Sequence, residues 1–243
     1  MHRFLIDPSA IAEGFAPLSV QESQHALKVL RLSDGSPVEA MDGQGRAWRG
    51  TLRLHGEGAS IQLGEKLANN DAPVSLTLYM GLPKGEKLEL IAQKICEMGA
   101  RRLVPVRMER CVAKIAPGEA EKKLSRPRRI ALEAQKQSGR QSEMEISDPI
   151  DMRELADRIK RHEASFLLWE NAHGYRLSDA KAQMPNLTDV AAIIGPEGGI
   201  SEQEADMLTA SGARAVSLGP RILRAETAAM AACAEIIALW GDL

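Results

Sequence analysis

Ala215-Val216-Ser217-Leu218-Gly219-Pro220-Arg221-Ile222-Leu223-Arg224-Ala225-Glu226-Thr227 runs from a short apolar stretch, through a Gly-Pro loop, into an Ala-rich segment that continues to Trp240. The apolar stretch reads as a strand and the Ala-rich segment as a helix, because alanine is the strongest helix former. A strand, a stiff loop and a helix make up the repeating unit of α/β sheets. The same order appears upstream, where Val190-Ala191-Ala192-Ile193-Ile194 leads into Gly195-Pro196-Glu197-Gly198-Gly199-Ile200-Ser201. Ser201, with Glu204 three residues on, has the spacing of a helix-starting capping box.

Outward from these two loops the alternation continues. Val74 to Met80, Leu103 to Val106 and Ser165 to Trp169 read as further strands. Glu86 to Met98, Glu119 to Gln137, Met152 to Arg161 and Ser201 to Ser211 read as helices. In the first of these helices Leu88, Ile91, Ala92 and Ile95 share one face, and Gly99 supplies a C-terminal cap. The pattern predicts an α/β domain over residues 74–243, with a mostly parallel sheet and helices on both faces.

Residues 1–70 read differently. Asp42-Gly43, Gly45, Gly56 and Gly58 punctuate short stretches such as Ala47 to Leu54, whose partial alternation suits half-buried strands of a small β-barrel. One helix is expected from Ser19, where Ser19-Val20-Gln21-Glu22 has capping-box spacing. It places His25, Lys28 and Arg31 on a more polar face than Ala26, Leu27 and Leu30. Ala68-Asn69-Asn70-Asp71-Ala72-Pro73 reads as the linker.

Composition narrows the function classes. No apolar run reaches membrane-spanning length, and the N-terminus turns acidic at Asp7 and meets Pro8 before a signal-peptide core develops, so a cytoplasmic location is expected. Cys96, Cys111 and Cys233 lack the close pairing of zinc ligands or redox dithiols and read as buried thiols. Residues 84–140 carry 15 Lys and Arg against 7 Asp and Glu, whereas residues 141–243 carry 9 against 17. The basic middle is the candidate polyanion-facing segment, and the solvated face of a helix is the competing reading. Lys84, Arg110, Arg126, Arg128, Arg129 and Arg140 lie there and join His25, Lys28 and Arg31 as polyanion-contact candidates. With only three Phe, three Trp and two Tyr, an aromatic stacking platform is not expected.

Ligands of α/β sheets bind outside the carboxyl ends of the strands. The candidate small-molecule contacts are therefore Leu168, Trp169 and Glu170 after one strand, and Ile194, Gly195, Pro196, Glu197, Gly198 and Gly199 after the next. Leu218, Gly219, Arg221, Ile222, Leu223 and Thr227 follow the last. Exposed amides and carbonyls of such loops can read an adenine edge. A pair of ordinary turns is the alternative. No phosphate-binding P-loop is present, since Gly81-Leu82-Pro83-Lys84-Gly85-Glu86-Lys87 has the wrong spacing, and neither loop has the Gly-x-Gly-x-x-Gly order of dinucleotide folds. The five histidines suggest no metal pair, and no metal is expected.

Lys84-Gly85-Glu86-Lys87-Leu88-Glu89, Gln137-Ser138-Gly139-Arg140, Ile194 to Gly199 and Leu218 to Ala228, with His25 to Arg31 near the N-terminus, resemble the RsmE family of SPOUT RNA methyltransferases. The likeness covers nearly the whole chain. Two departures are Lys136, where an acidic residue is expected, and Glu86-Lys87 in place of Asp-Arg. The resemblance implies N3-methylation of a uridine in 16S ribosomal RNA of the small subunit, with S-adenosylmethionine as donor. It also implies an N-terminal PUA-like barrel, a trefoil knot in the α/β domain with the donor pocket at the knot, and a homodimer. Arg224, Arg221, Glu197 and Glu226 are the catalytic candidates. Arg224 would stabilise a uracil anion, and Glu226 would orient it or receive the N3 proton, with an Arg–Glu network bracing the loops as the other reading. The rival functions are a non-catalytic RNA-binding ribosome-assembly factor and a nucleotide-dependent oxidoreductase. The Ala-rich helix, through Ala228, Ala229, Ala231, Ala232 and Ala234, would admit a second helix of a dimer partner or pack only on its own sheet.

Overall fold

A computed structural model describes residues 1–116 and 118–243, which divide into two compact units, 1–71 with 135–143 and 72–134 with 144–243. Among the described residues no helix is long and apolar enough to cross a membrane.

The first unit contains β1 (His2–Leu5), β2 (Phe15–Pro17), α1 (Val20–Gln24), β3 (Pro37–Met41), β4 (Ala47–His55) and β5 (Gly58–Lys66). Its strands run in the order β1-β3-β4-β5-β2, with only the β1–β3 pair parallel. Where the turn pattern predicts a closed barrel, the hydrogen-bonded path is open, with β1 and the three-residue β2 at its edges. One face of this sheet buries Phe4, Val38, Ala40, Leu52 and Ile61 with Ala16 and Ala26. Ser19 caps α1 by accepting the Glu22 N–H at 3.1 Å. The reciprocal half of the expected capping box does not form, because the buried Glu22 carboxylate takes the Lys136 ammonium instead. That pairing gives a physical account of a lysine at position 136. After α1 the backbone widens into a π turn over His25–Val29, closed by the Leu30 N–H on the His25 carbonyl, 2.9 Å.

Segment 135–143 is stitched into this unit by polar bonds. Arg3 donates to the carbonyls of Lys136 and Gln137 at 2.9 and 2.8 Å, Asn70 donates to Gly139 O, and Asp71 accepts the backbone N–H groups of Gln141 and Ser142.

The second unit contains β6 (Ser75–Gly81), α2 (Lys87–Glu97), β7 (Arg102–Arg107), α3 (Ala120–Ser138, its last turn counted with the first unit), β8 (Glu145–Ile146), β9 (Ile150–Asp151) and α4 (Met152–Arg158). It continues with β10 (Ala164–Leu168), α5 (Leu177–Gln183), β11 (Asp189–Ile194), α6 (Glu202–Ala210), β12 (Arg214–Val216) and α7 (Ala225–Trp240). The strand order is β12-β10-β11-β6-β7-β8, with β9 also on β7, and every pairing is parallel. A sheet covered on both faces needs apolar residues on both sides of each strand, and β11 shows it. Val190, Ala192 and Ile194 enter one core with α2 and α7, while Ala191 and Ile193 enter the other with α4 and α6. The predicted α2 face, Leu88, Ile91, Ala92 and Ile95, is buried, and Gly99 ends the helix at φ +103°. Ala229 and Ala232 are wholly buried within the unit's own core, so that part of the Ala-rich face serves the sheet. Cys96 and Cys233 are buried, as expected, whereas Cys111 is only half-buried.

Candidate active site

The sheet's connectivity gathers its functional loops at one end. After β9 the chain crosses to β10, inserts β11 between β10 and β6, and lays β12 on the far side of β10. The carboxyl ends of β12, β10 and β11 are therefore neighbours, the arrangement in which α/β sheets bind ligands. A cavity of about 510 Å³ opens there, wholly within the second unit.

Each of the three strand ends contributes the residues picked out by sequence. Leu168, Trp169 and Glu170 come from β10; Ile194, Pro196, Glu197, Gly198 and Gly199 from β11; Leu218, Gly219, Arg221, Ile222, Leu223 and Arg224 from the loop after β12. Two expected residues are not in the lining. Thr227 is exposed on α7, and Gly195 is buried behind the wall. A Cβ at Gly195 would meet Ile200 Cγ1 at 2.7 Å and the Gly199 carbonyl carbon at 3.0 Å, so the loop's own return fills the space expected for a ligand.

The loop after β11 is braced from several directions. A Cβ on Gly81, at the end of β6, would strike Pro196 at 2.5 Å, so that glycine lets the loop close over the neighbouring strand. Arg110, expected to face RNA, donates to Gly198 O at 3.1 Å. Ser201 and Glu204 form the complete capping box, and Glu204 also accepts the Glu109 N–H at 2.8 Å. Glu197 accepts the Lys84 N–H at 3.0 Å and the Lys87 ammonium at 2.9 Å. The same ammonium lies 3.1 Å from Glu226 Oε2, at the start of α7.

These contacts set the protonation states. Partial burial pushes Glu197 upward, but hydrogen bonds from Lys87, its own N–H and the Lys84 N–H outweigh it and hold the carboxyl below the usual range. Glu226 is lowered by its own backbone N–H, against a smaller effect of burial, and further by Lys87 and the charge of Arg224. Lys87 is raised by its close contacts with the two carboxylates. Lys87 is the residue that sequence reading missed. It lines the cavity, but its partners lie more than a hundred positions along the chain, and only its place just after a strand end could have pointed to it.

Arg221 and Arg224 are exposed, and among the described residues neither side chain has a hydrogen bond or ion pair. Of the RNA-contact candidates, His25, Lys28 and Arg31 are exposed on the first unit, Arg31 at the left-handed φ of +53°. Lys84 is exposed on the second. Arg126 is paired with Glu86 and Glu89, Arg128 with Glu121 and Asp148, and Arg129 with Glu133, so the basic helix face is largely neutralised within the protein. Arg140 is buried, which removes it from the surface. No group of His, Cys, Asp or Glu among the described residues is arranged to hold a metal ion.

A parallel α/β sheet with a cavity at three adjacent strand ends matches, over residues 70–237, the family model described as an RNA methyltransferase domain. At full length, the chain is 32% identical to ribosomal RNA small subunit methyltransferase E of Synechocystis sp., over 98% of this chain and 78% of that protein. It is 29% identical to the Bacillus subtilis protein of the same name, over 97% and 96%. The structure of ribosomal RNA small subunit methyltransferase E from Neisseria gonorrhoeae bound to S-adenosyl methionine superposes with a TM-score of 0.89 at 30% identity, covering 100% of this chain and 99% of that one. The chain belongs to the ribosomal RNA small subunit methyltransferase E family of RNA methyltransferases.

Proposed function

We propose that the protein transfers the methyl group of S-adenosylmethionine to N3 of a uridine in 16S ribosomal RNA of the small subunit, in the cytoplasm and as a homodimer. The observation that carries the donor assignment is the cavity at the ends of β10, β11 and β12. Its volume of about 510 Å³ suits a nucleoside-sized ligand. Gly219, at φ +111° and with open space where a Cβ would sit, leaves backbone accessible to an adenine edge, and Glu170 offers negative charge to a cationic donor. Bound there, S-adenosylmethionine supplies an electrophilic sulfonium methyl group.

The protein's own task is then to prepare the acceptor. Uracil N3 gains a usable lone pair as its proton passes to solvent water, and the resulting charge spreads onto the flanking carbonyl oxygens. Arg224, with Arg221 beside it, is the fixed cation that holds that charge, since among the described residues its guanidinium has no ion-pair partner to give up. Glu226 does not suit the role of proton acceptor. Its carboxyl is held ionised and its basicity lowered, so it fits better as a brace for the first turn of α7. Glu197 fits the same description in its loop.

The first unit, read as PUA-like, carries RNA contacts through His25, Lys28 and Arg31, and Lys84 adds a contact on the second. The knot in the α/β domain is part of the same proposal, as are the domain limits of 1–70 and 74–243. Deleting 1–70 would strip segment 135–143 of Arg3, Asn70 and their bonds, so RNA docking is better tested by point substitution. Lys28→Glu with Arg31→Glu should weaken ribosomal RNA binding and flatten its salt dependence, with donor binding intact. Nucleoside mass spectrometry of ribosomal RNA from cells with and without the protein tests the reaction. Loss of one N3-methyluridine is expected; an unchanged nucleoside profile, or a purified protein that binds no S-adenosylmethionine, supports a non-catalytic assembly factor instead.

A further inference from the structure

The geometry points to Lys87 as a positioning residue for the donor cavity, joining three of its walls by holding together two carboxylates that would otherwise repel. The inference rests on reading that cavity as the S-adenosylmethionine site. Lys87 opens α2, directly after the loop that leaves β6. Its ammonium lies 2.9 Å from Glu197, in the loop after β11, and 3.1 Å from Glu226, in the first turn of α7. Lys84, in the same β6–α2 loop, gives Glu197 a second bond through its N–H. Three segments far apart in sequence thus meet on one ammonium, whose three donors suit it to bridging more than one acceptor.

The two carboxylates cannot be farther apart than the two ion-pair distances laid end to end. Their side chains are 24% and 13% exposed, so water screens their repulsion only in part. With the ammonium between them they bind the loops together. Without it, two like charges face each other on segments that form the cavity wall, and the walls part. Lys87 therefore acts on donor affinity through loop geometry rather than by touching the reacting atoms.

Calorimetric titration of S-adenosylmethionine into the full-length protein tests this, with thermal denaturation confirming that each variant folds. Lys87→Met should weaken the donor by about tenfold or more. Lys87→Arg, which keeps the charge and adds donors, should stay within about threefold of the parent. Adding Glu197→Gln and Glu226→Gln to Lys87→Met should recover affinity, since neutral amides remove the repulsion. Should Lys87→Met fail to fold, Lys87→Gln gives the same comparison. Unchanged affinity in the folded single variant overturns the role. So does a triple variant that binds no better than the single one, because Lys87 would then be contacting the donor itself. A parent protein that binds no donor overturns the reading of the cavity, and the role of Lys87 with it.

Discussion

Two Gly-Pro loops form opposite sides of the same cavity, yet a Cβ on Gly195 would meet Ile200 at 2.7 Å while a Cβ on Gly219 would meet nothing within 4 Å. The loop after β11 is tied by Arg110, Lys84, Lys87 and a full capping box. Among the described residues, the hydrogen bonds of the loop after β12 lie at its start, where the Ser217 N–H reaches Tyr175 O at 2.9 Å and Ser217 Oγ accepts the Gly219 N–H at 3.2 Å. Beyond that Ile222 is 89% exposed, and Arg221 and Arg224 are exposed with no ion pair among the described residues. Similar sequence punctuation has built one rigid wall and one open edge. Charges committed to bracing are poor catalysts for a substrate that arrives later, whereas an uncommitted guanidinium can take up charge as it develops.

The largest effect should come from the open edge. Arg224→Ala removes a preorganised cation at a developing anion, a loss of roughly 10²–10³-fold in turnover, with melting temperature and donor affinity near those of the parent. Single-turnover assays at saturating RNA and donor measure it. A near-normal rate would mean that the open loop holds no anion, and the division of labour between the two loops would collapse.

Next in size are the glycines themselves. Gly195→Val forces a branched side chain into packed protein and should cost about 1–3 kcal/mol of stability, with donor binding lost because the wall is displaced. Gly219→Ala has room for its methyl group but places it at φ +111°. It should cost less in the melting temperature, since a backbone with open space around the new methyl group can relax part of the strain. Denaturation of the two variants side by side checks the ranking. Equal losses would show that the β12 loop is as constrained as its counterpart.

How much of this was legible depended on how far apart the interacting residues lie. Helix periodicity in α2 and the Ser201–Glu204 box are local patterns, and both appear in the structure with the spacing the sequence shows. The half-made box at Ser19 is local too, but Glu22 was claimed by Lys136, 114 positions on. Short elements such as β8 and α5 carry too few residues for a period to register. The insertion of β11 between β10 and β6 leaves no trace in any one strand's composition. The wall residues could be read because they follow strand ends. The bracing partners Lys87 and Arg110 could not, because bracing is a property of the folded neighbourhood and both look like ordinary surface cations in sequence.

The smallest effect is electrostatic and follows from the two lowered carboxyls that share Lys87. A group whose folded pKa lies below its unfolded value adds stability that is fully present above the unfolded value, here the ordinary glutamate value of 4.5, and that disappears as pH falls through the lowered folded value. Glu226 and Glu197 should therefore contribute steadily from neutral pH down to about that point and fade below it. Lys87, raised from 10.5, behaves in the opposite sense, and its contribution is lost only as pH rises through its raised value. Glu226→Gln should lower the melting temperature by a few degrees at neutral pH, and the gap between the two curves should close in acid as the parent's carboxyl is protonated. Melting curves measured across that range decide it. A gap that persists unchanged into acid would mean that the glutamine disturbs packing rather than charge, and that the first turn of α7 owes its placement to packing rather than to its ion pair with Lys87.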